Sequence, residues 1–194
     1  MGHVRVLPPE IVSKIAAGEV IERPASVIKE LLENALDAQA QSIAIEVRDA
    51  GRSLIRLTDT GCGIAADDME RLFLRHATSK LSEMEDLFAI TSLGFRGEAL
   101  YSIASIADIT LRSRTAGGDT GWEIHVRGGE RIGLSPVTMA PGTEIEIREL
   151  FFNTPARRKF LKADATEMHH IVSTATPYAL LNPRTRFTLK GAQK

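Results

Sequence analysis

Residues 24–63 read PASVIKELLENALDAQAQSIAIEVRDAGRSLIRLTDTGCG, and the hydrophobic period changes once within them. Up to Ala38, apolar Val27, Ile28, Leu31, Leu32, Ala35 and Leu36 recur at three- and four-residue spacing. That spacing predicts an amphipathic helix that begins at Pro24 and leaves a polar face opposite. From Ile43 the period shortens to two. Ile43, Ile45 and Val47 alternate with polar residues, Asp49-Ala50-Gly51 makes a turn, and Leu54-Ile55-Arg56-Leu57 returns as the second strand of a hairpin. This strand runs into Asp59-Thr60-Gly61-Cys62-Gly63.

Outward from this core, a helix is predicted around Asp67 to His76, then a segment from Ala77 to Leu93 that has no sustained period and reads as a mobile cover. Gly94-Phe95-Arg96-Gly97 turns into an apolar helix over Glu98 to Ile106. Strand patterns recur at Ile109 to Arg114, Trp122 to Arg127 and Thr143 to Arg148, and their short separations make them mostly antiparallel. The expected fold class is therefore α+β, a two-layer sandwich with helices on one face of a mostly antiparallel sheet. Pro177 is expected to interrupt the helical pattern that follows. Arg184 to Lys190 reads as a strand whose partners would lie beyond the chain end. Residues 1–165 are expected to form one domain, and 166–194 to lead into a second.

The bulk composition fits a globular chain: 194 residues, 43% hydrophobic and 25% charged. No run approaches the roughly 20 apolar residues of a membrane span, and Met1-Gly2-His3-Val4 lacks the basic and apolar regions of a signal peptide, so the expected location is the cytoplasm. The single cysteine, Cys62, excludes an intrachain disulfide and a thiolate zinc cluster. Charge is uneven. Residues 1–147 hold 15 Lys/Arg and 22 Asp/Glu, a net of −7, while residues 148–194 hold 9 and 3, a net of +6. The basic end, with Arg157, Arg158, Lys159 and Lys162, either touches DNA weakly or is a solvated surface. His169 and His170 are adjacent and so point different ways on a helix, Cys62 has no evident base partner, and none of the three is assigned chemistry.

On the first helix Glu30, Asn34 and Asp37 form one polar stripe, flanked by Glu33, with no evident Lys or Arg at helical spacing on that stripe. Two readings stand: a solvated acidic face, or a carboxylate that takes a proton from water beside an amide oxygen that ligates Mg²⁺. Asp59 at a strand end, with Gly61 and Gly63 behind it, is either turn chemistry or a slot where a flat base comes close and its exocyclic amine donates to the carboxylate. Gly94 to Gly97 before a helix start is either a tight connection or a phosphate site built from free backbone N–H groups. No P-loop and no dinucleotide fingerprint occurs.

Together, and in this order, these patterns resemble the ATPase family of gyrase B subunits, heat-shock chaperones, sensor histidine kinases and MutL-type DNA mismatch repair proteins. Glu30 to Ala38 resembles the first motif, Asp59 to Gly63 the second, Gly94 to Gly97 the third and Gly142-Thr143 the fourth. Ile15 to Pro24, Arg75 to Lys80, Gly94 to Leu100 and Asn153 to Leu161 resemble the MutL branch, and the likeness covers about residues 4–165. The second motif commonly reads Asp-Asn-Gly in that branch and here reads Asp59-Thr60-Gly61.

The resemblance implies the Bergerat-type ATP-binding fold and a slow, Mg²⁺-dependent ATPase used as a switch. Glu30 would activate the attacking water, Asn34 would ligate Mg²⁺, and Asp59 would bind the adenine amine beside Gly61, Gly63 and Thr143. Thr78, Ser79 and Lys80 would belong to a lid, and Gly94, Phe95, Arg96 and Gly97 would hold the phosphates. It also implies a dimer formed on nucleotide binding, mismatch-recognition and downstream repair proteins as partners, and a lysine reaching the γ-phosphate from beyond residue 194. The competing class is a nucleotide-responsive interaction module without turnover of its own.

Overall fold

The computed structural model describes residues 21–74, 77 and 98–192. Helix α1 (Pro24–Asp37) starts on a proline, whose missing N–H costs nothing in the first turn, and buries Val27, Ile28, Leu31, Leu32 and Ala35. Ile28 and Leu32 are wholly removed from water; each side chain so buried contributes about 1.5–3 kcal/mol. Gln39, at φ 59°, then turns the chain out of the helix, and the Ala40 N–H donates back to the Ala35 carbonyl at 3.1 Å. Strands β1 (Ser42–Arg48) and β2 (Leu54–Asp59) pair antiparallel, Ile45 opposite Leu57. The hairpin and helix follow the sequence pattern closely.

Next come a short helix α2 (Ala66–Met69), helix α3 (Ala99–Ile106), and strands β3 (Asp108–Arg114), β4 (Gly121–Arg127), β5 (Glu130–Val137) and β6 (Gly142–Arg148). Helix α4 (Pro155–Phe160), helix α5 (Asp164–Leu181) and strand β7 (Arg186–Ala192) end the fold. The sheet has seven strands in the order β5-β4-β3-β6-β2-β1-β7, all neighbours antiparallel except β1 and β7. Ile43, Ile45, Ile55, Leu57, Ile109, Leu111, Ile124, Ile145 and Ile147 line its inner face, where they join Ile28, Leu32, Ile103 and Ile171 of the helices in one core. The α+β sandwich expected from the sequence is the observed architecture.

The outer face is polar and paired across strands. Arg56 of β2 donates to Glu46 of β1 at 2.8 Å and to Glu146 of β6 at 2.7 Å, and Arg112 of β3 donates to Glu123 of β4 at 2.6 Å and Glu144 of β6 at 2.7 Å. At the far end Asp108 accepts from His125 at 2.7 Å and from Arg127.

Four expectations change. The helix predicted from Asp67 stops at Met69, because the following residues close three-residue bonds, Arg71 to the Asp68 carbonyl and Leu74 to the Arg71 carbonyl. Strand β5 has no counterpart in the sequence pattern. Pro177 does not interrupt α5, since it sits on the exposed side, where the carbonyl it leaves unpaired can meet water, and Thr176 Oγ1 donates to the Val172 carbonyl at 2.8 Å beside it. Last, β7 finds its partner inside the chain. It pairs parallel with β1, Phe187 beside Ile43 and Leu189 beside Ile45, so its apolar residues extend the inner face. His76, and residues 78–93 of the expected cover, lie outside the described residues.

Candidate functional site

Asp59 is the last residue of β2 and lies opposite Thr143 of β6, with its side chain on the inner face. It is 6% exposed. Burial pushes its carboxyl up to about 6, although the backbone N–H groups of Gly61 and Thr143 both donate to it and favour the charged form. The Gly61 bond is 2.8 Å long. Two N–H groups leave accepting capacity on a carboxylate, so Asp59 retains sites for an outside donor.

The loop after Asp59 is fastened on two sides. Cys62 N–H donates to the Ala38 carbonyl at 3.0 Å, and a Cβ on Gly61 would stand 2.7 Å from Ala38 Cβ, so this loop is packed against the last turn of α1. Gly63 has φ +72°, and a Cβ there would meet the Arg114 carbonyl oxygen at 2.2 Å. The space beside both glycines is thus taken by the protein's own atoms, Ala38 at Gly61 and the Arg114 backbone at Gly63, a different reason for glycine from the one read in the sequence. Thr60 turns its hydroxyl to the Ser42 N–H at 3.0 Å, closing the start of β1.

Ser113 of β3, opposite Thr143 in register, is fully buried. Its Oγ donates to the Gly142 carbonyl at 2.8 Å, accepts from the Ile64 N–H at 2.9 Å, and lies 2.9 Å from Thr143 Oγ1. One hydroxyl therefore joins the loop after Asp59 to Gly142-Thr143. Sequence reading passes over Ser113, because a serine in a strand carries no periodic signal; its inward position between Leu111 and the Arg114 turn is the only hint.

The α1 stripe divides. Glu30 and Asn34 are half-buried, whereas Glu33 is buried beneath α5, where its Oε1 accepts from the Tyr178 hydroxyl at 2.6 Å. Lys29 lies 3.0 Å from Glu33 Oε1 and 3.5 Å from Glu30 Oε1. The sequence reading finds no cation for these acids; Lys29 supplies one, four residues before Glu33. Partial burial works against the Lys29 charge, yet Glu33 and Glu30 together hold its pKa above the ordinary lysine value. Burial and the Glu33 carboxylate push the Tyr178 phenol up, so it stays a donor. Asn34 is anchored through its own carbonyl, which accepts the Ala38 N–H at 3.0 Å one turn before the Gly61 contact.

The structure thus brings Asp59, Gly61, Gly63 and Thr143 together and docks them against the end of the helix that carries Glu30 and Asn34. Thr78, Ser79, Lys80, Gly94, Phe95, Arg96 and Gly97 lie outside the described residues. Among the described residues no group of three His, Cys, Asp or Glu side chains could hold a metal ion by itself, and no helix is long and apolar enough to cross a membrane.

Residues 19–148 match the family model described as histidine kinase-, DNA gyrase B-, and HSP90-like ATPase. Over 192 residues, 99% of its length, the chain is 52% identical to the DNA mismatch repair protein MutL of Acidobacterium capsulatum, and it spans 29% of that protein. It is 54% identical over 184 residues to MutL of Syntrophotalea carbinolica, again spanning 29% of the relative. Among solved structures it resembles the Aquifex aeolicus MutL ATPase domain complexed with ADP, with a TM-score of 0.74 and 40% identity, covering 89% of this chain and 61% of that one. It also resembles the N-terminal domain of a DNA repair protein, with a TM-score of 0.79 and 28% identity, covering 94% of this chain and 52% of that one.

Proposed function

The chain belongs to the histidine kinase-, DNA gyrase B-, and HSP90-like ATPase family, and from that premise we propose that it is the ATP-binding and slowly ATP-hydrolysing switch of a MutL-type DNA mismatch repair protein, working in the cytoplasm. One observation carries the reading most: a buried carboxylate, Asp59, paired with Thr143 at the strand ends in the middle of the sheet and tied through Gly61 to the helix bearing Glu30 and Asn34. Asp59 accepts the adenine amine, beside Gly61, Gly63 and Thr143. A carboxylate held away from water makes a stronger and more selective contact than an exposed one, because a wrong ring edge leaves it unpaired.

Glu30 takes the proton of the attacking water. It is half-buried, and Lys29 lies closer to Glu33 than to Glu30. Asn34 ligates Mg²⁺ through its carboxamide oxygen. A single amide donor suits an ion held largely by phosphate oxygens and water, which the lack of a metal-sized acidic cluster among the described residues also favours. Bound there, the ion would neutralise charge on the phosphates. Thr78, Ser79 and Lys80 serve as the lid, and Gly94, Phe95, Arg96 and Gly97 hold the phosphates; this part rests on the sequence motifs alone.

The chain spans less than a third of the MutL relatives. In the whole protein, nucleotide would order the lid and drive dimerisation, and the dimer would meet mismatch-recognition and downstream repair proteins. The basic stretch that includes Arg157, Arg158, Lys159 and Lys162 adds weak DNA binding. The test is calorimetric titration with ADP. Asp59→Asn should bind at least about tenfold more weakly than the unaltered protein, since the new amide sets a donor against the amine. Equal affinity would overturn the reading of the base pocket.

A further inference from the structure

Ser113 has one hydroxyl hydrogen and, among the described residues, three hydrogen-bonding neighbours, and the count decides where that hydrogen goes. The Gly142 carbonyl, 2.8 Å away, can only accept, and the Ile64 N–H, 2.9 Å away, can only donate. The Ser113 hydrogen must therefore lie on the Gly142 line, since two bare oxygens at that distance would repel. The remaining contact, 2.9 Å to Thr143 Oγ1, then needs its hydrogen from Thr143. With that hydrogen turned inward to a fully buried oxygen, Thr143 presents only lone pairs on its open side. Directly opposite in register stands Asp59, whose carboxylate is likewise an acceptor.

We infer that Ser113 is a positioning residue for specificity: by fixing the Thr143 hydroxyl as an acceptor, it makes the pocket select 6-aminopurine nucleotides over 6-oxopurine nucleotides. The inference rests on the base-pocket reading given above and adds the origin of its selectivity. A free threonine hydroxyl rotates, and it accepts from an amine or donates to a carbonyl with equal ease. Such a hydroxyl would tolerate either ring edge. Locked by Ser113, Thr143 joins Asp59 in an all-acceptor wall that the two hydrogens of a 6-amino group can both satisfy, whereas a 6-oxopurine offers it one ring N–H and sets its C6 carbonyl against the other acceptor.

The experiment compares ADP with IDP, whose bases differ only at the C6 carbonyl and the adjoining ring N–H. Both are titrated calorimetrically onto the full-length protein, its Ser113→Ala and Thr143→Val variants, and the double variant. Ser113→Ala should narrow the ADP-to-IDP affinity ratio by about tenfold, the size of one mispaired hydrogen bond. Thr143→Val should narrow it as well, and adding Ser113→Ala to Thr143→Val should change the ratio no further. A purely structural role for Ser113 would weaken ADP and IDP alike, and an unchanged ratio would overturn the inference. If Ser113→Ala does not fold, Thr143→Val decides alone: it leaves the Ser113 bonds to Ile64 and Gly142 in place, and an unaltered ratio in that variant would overturn the inference. Failure of the unaltered protein to bind ADP would instead remove the base-pocket reading itself.

Discussion

Tyr178 donates its phenolic hydrogen to Glu33 at 2.6 Å, joining α5 to α1 across 145 positions of sequence. Among the described residues Glu33 has one other close partner, Lys29, which is itself half exposed. The buried carboxylate is thus held by this phenol and this ammonium.

Tyr178→Phe removes the phenol and keeps the ring. The variant should be destabilised by about 1–2 kcal/mol, as expected for a hydrogen bond to a charged, buried acceptor. Urea unfolding at unchanged m-value reads this as a lower midpoint. An unmoved midpoint would mean that Lys29 alone satisfies Glu33.

Glu30→Ala should retain nucleotide affinity and lose hydrolysis, because a base that takes a proton from water acts in the transition state more than in the ground state. Stability should scarcely change, since Lys29 remains paired with Glu33 and an exposed ion pair contributes little. Binding by calorimetry and phosphate release by single turnover separate the two effects. Equal loss of both would remove the role.

Asp59, with its carboxyl raised to about 6 by burial, gives nucleotide binding a pH dependence. In the unfolded chain it titrates near 3.8. Between these values the folded state holds a proton that the unfolded state has lost, so this group's contribution favours folding at low pH and is lost as pH rises through about 6. Nucleotide binding runs the other way, because an amine prefers the ionised carboxylate. Affinity should be flat above about pH 7 and fall by up to about tenfold per unit below the Asp59 pKa, with proton release on binding near it. Calorimetry in buffers of different ionisation enthalpy counts the protons. No proton release at pH 6, or the same pH profile in Asp59→Asn, would assign the dependence elsewhere.

Gly63→Ala should abolish base binding and lower stability. Its φ of +72° costs an L-residue about 1–2 kcal/mol, and the added methyl would collide with the Arg114 carbonyl. The loop must then lift from β3 and drag the Ile64 N–H off Ser113. Wild-type ADP affinity in this variant would show that the loop relaxes without moving the pocket.

The 194-residue chain should hydrolyse ATP about 10²- to 10³-fold more slowly than the full-length protein at saturating ATP and Mg²⁺, with a much smaller difference in affinity. This follows from the family resemblance, which implies a lysine at the γ-phosphate from beyond residue 194. The C-terminal strand lends no support, since β7 is completed by β1. Equal single-turnover rates would place the whole apparatus in this chain.

Local pattern carried most of the fold, and the misses have local causes. The helix and hairpin of residues 24–59 were legible because each buries one face and leaves the other in water, which writes a period into the sequence. Strand β5 has no fully buried residue, only Leu134 resting partly on the core, so Glu130 to Val137, with Gly133 and Pro136 among them, shows no alternation. The parallel pairing of β7 with β1 joins residues about 140 positions apart, a relation that no local window contains. In the candidate site, Asp59, Gly63 and Thr143 were legible through the resemblance to the family's motifs. Ser113 and Tyr178 were not, because a hydroxyl's role depends on what stands opposite it.

The charged outer face also acts as an alignment key. With Glu46 opposite Arg56 and Asp108 opposite Arg148, the native setting of each of these strand pairs matches opposite charges, and a slip in one direction brings like charges together. Slide β1 by two residues one way and Arg48 faces Arg56; slide β3 against β6 and Asp108 faces Glu146. Such slips would keep the apolar residues inside, so hydrophobic burial alone would not reject them. During folding, the repulsion of like charges would send these misaligned sheets back and favour the register in which the strand end bearing Asp59 meets Thr143.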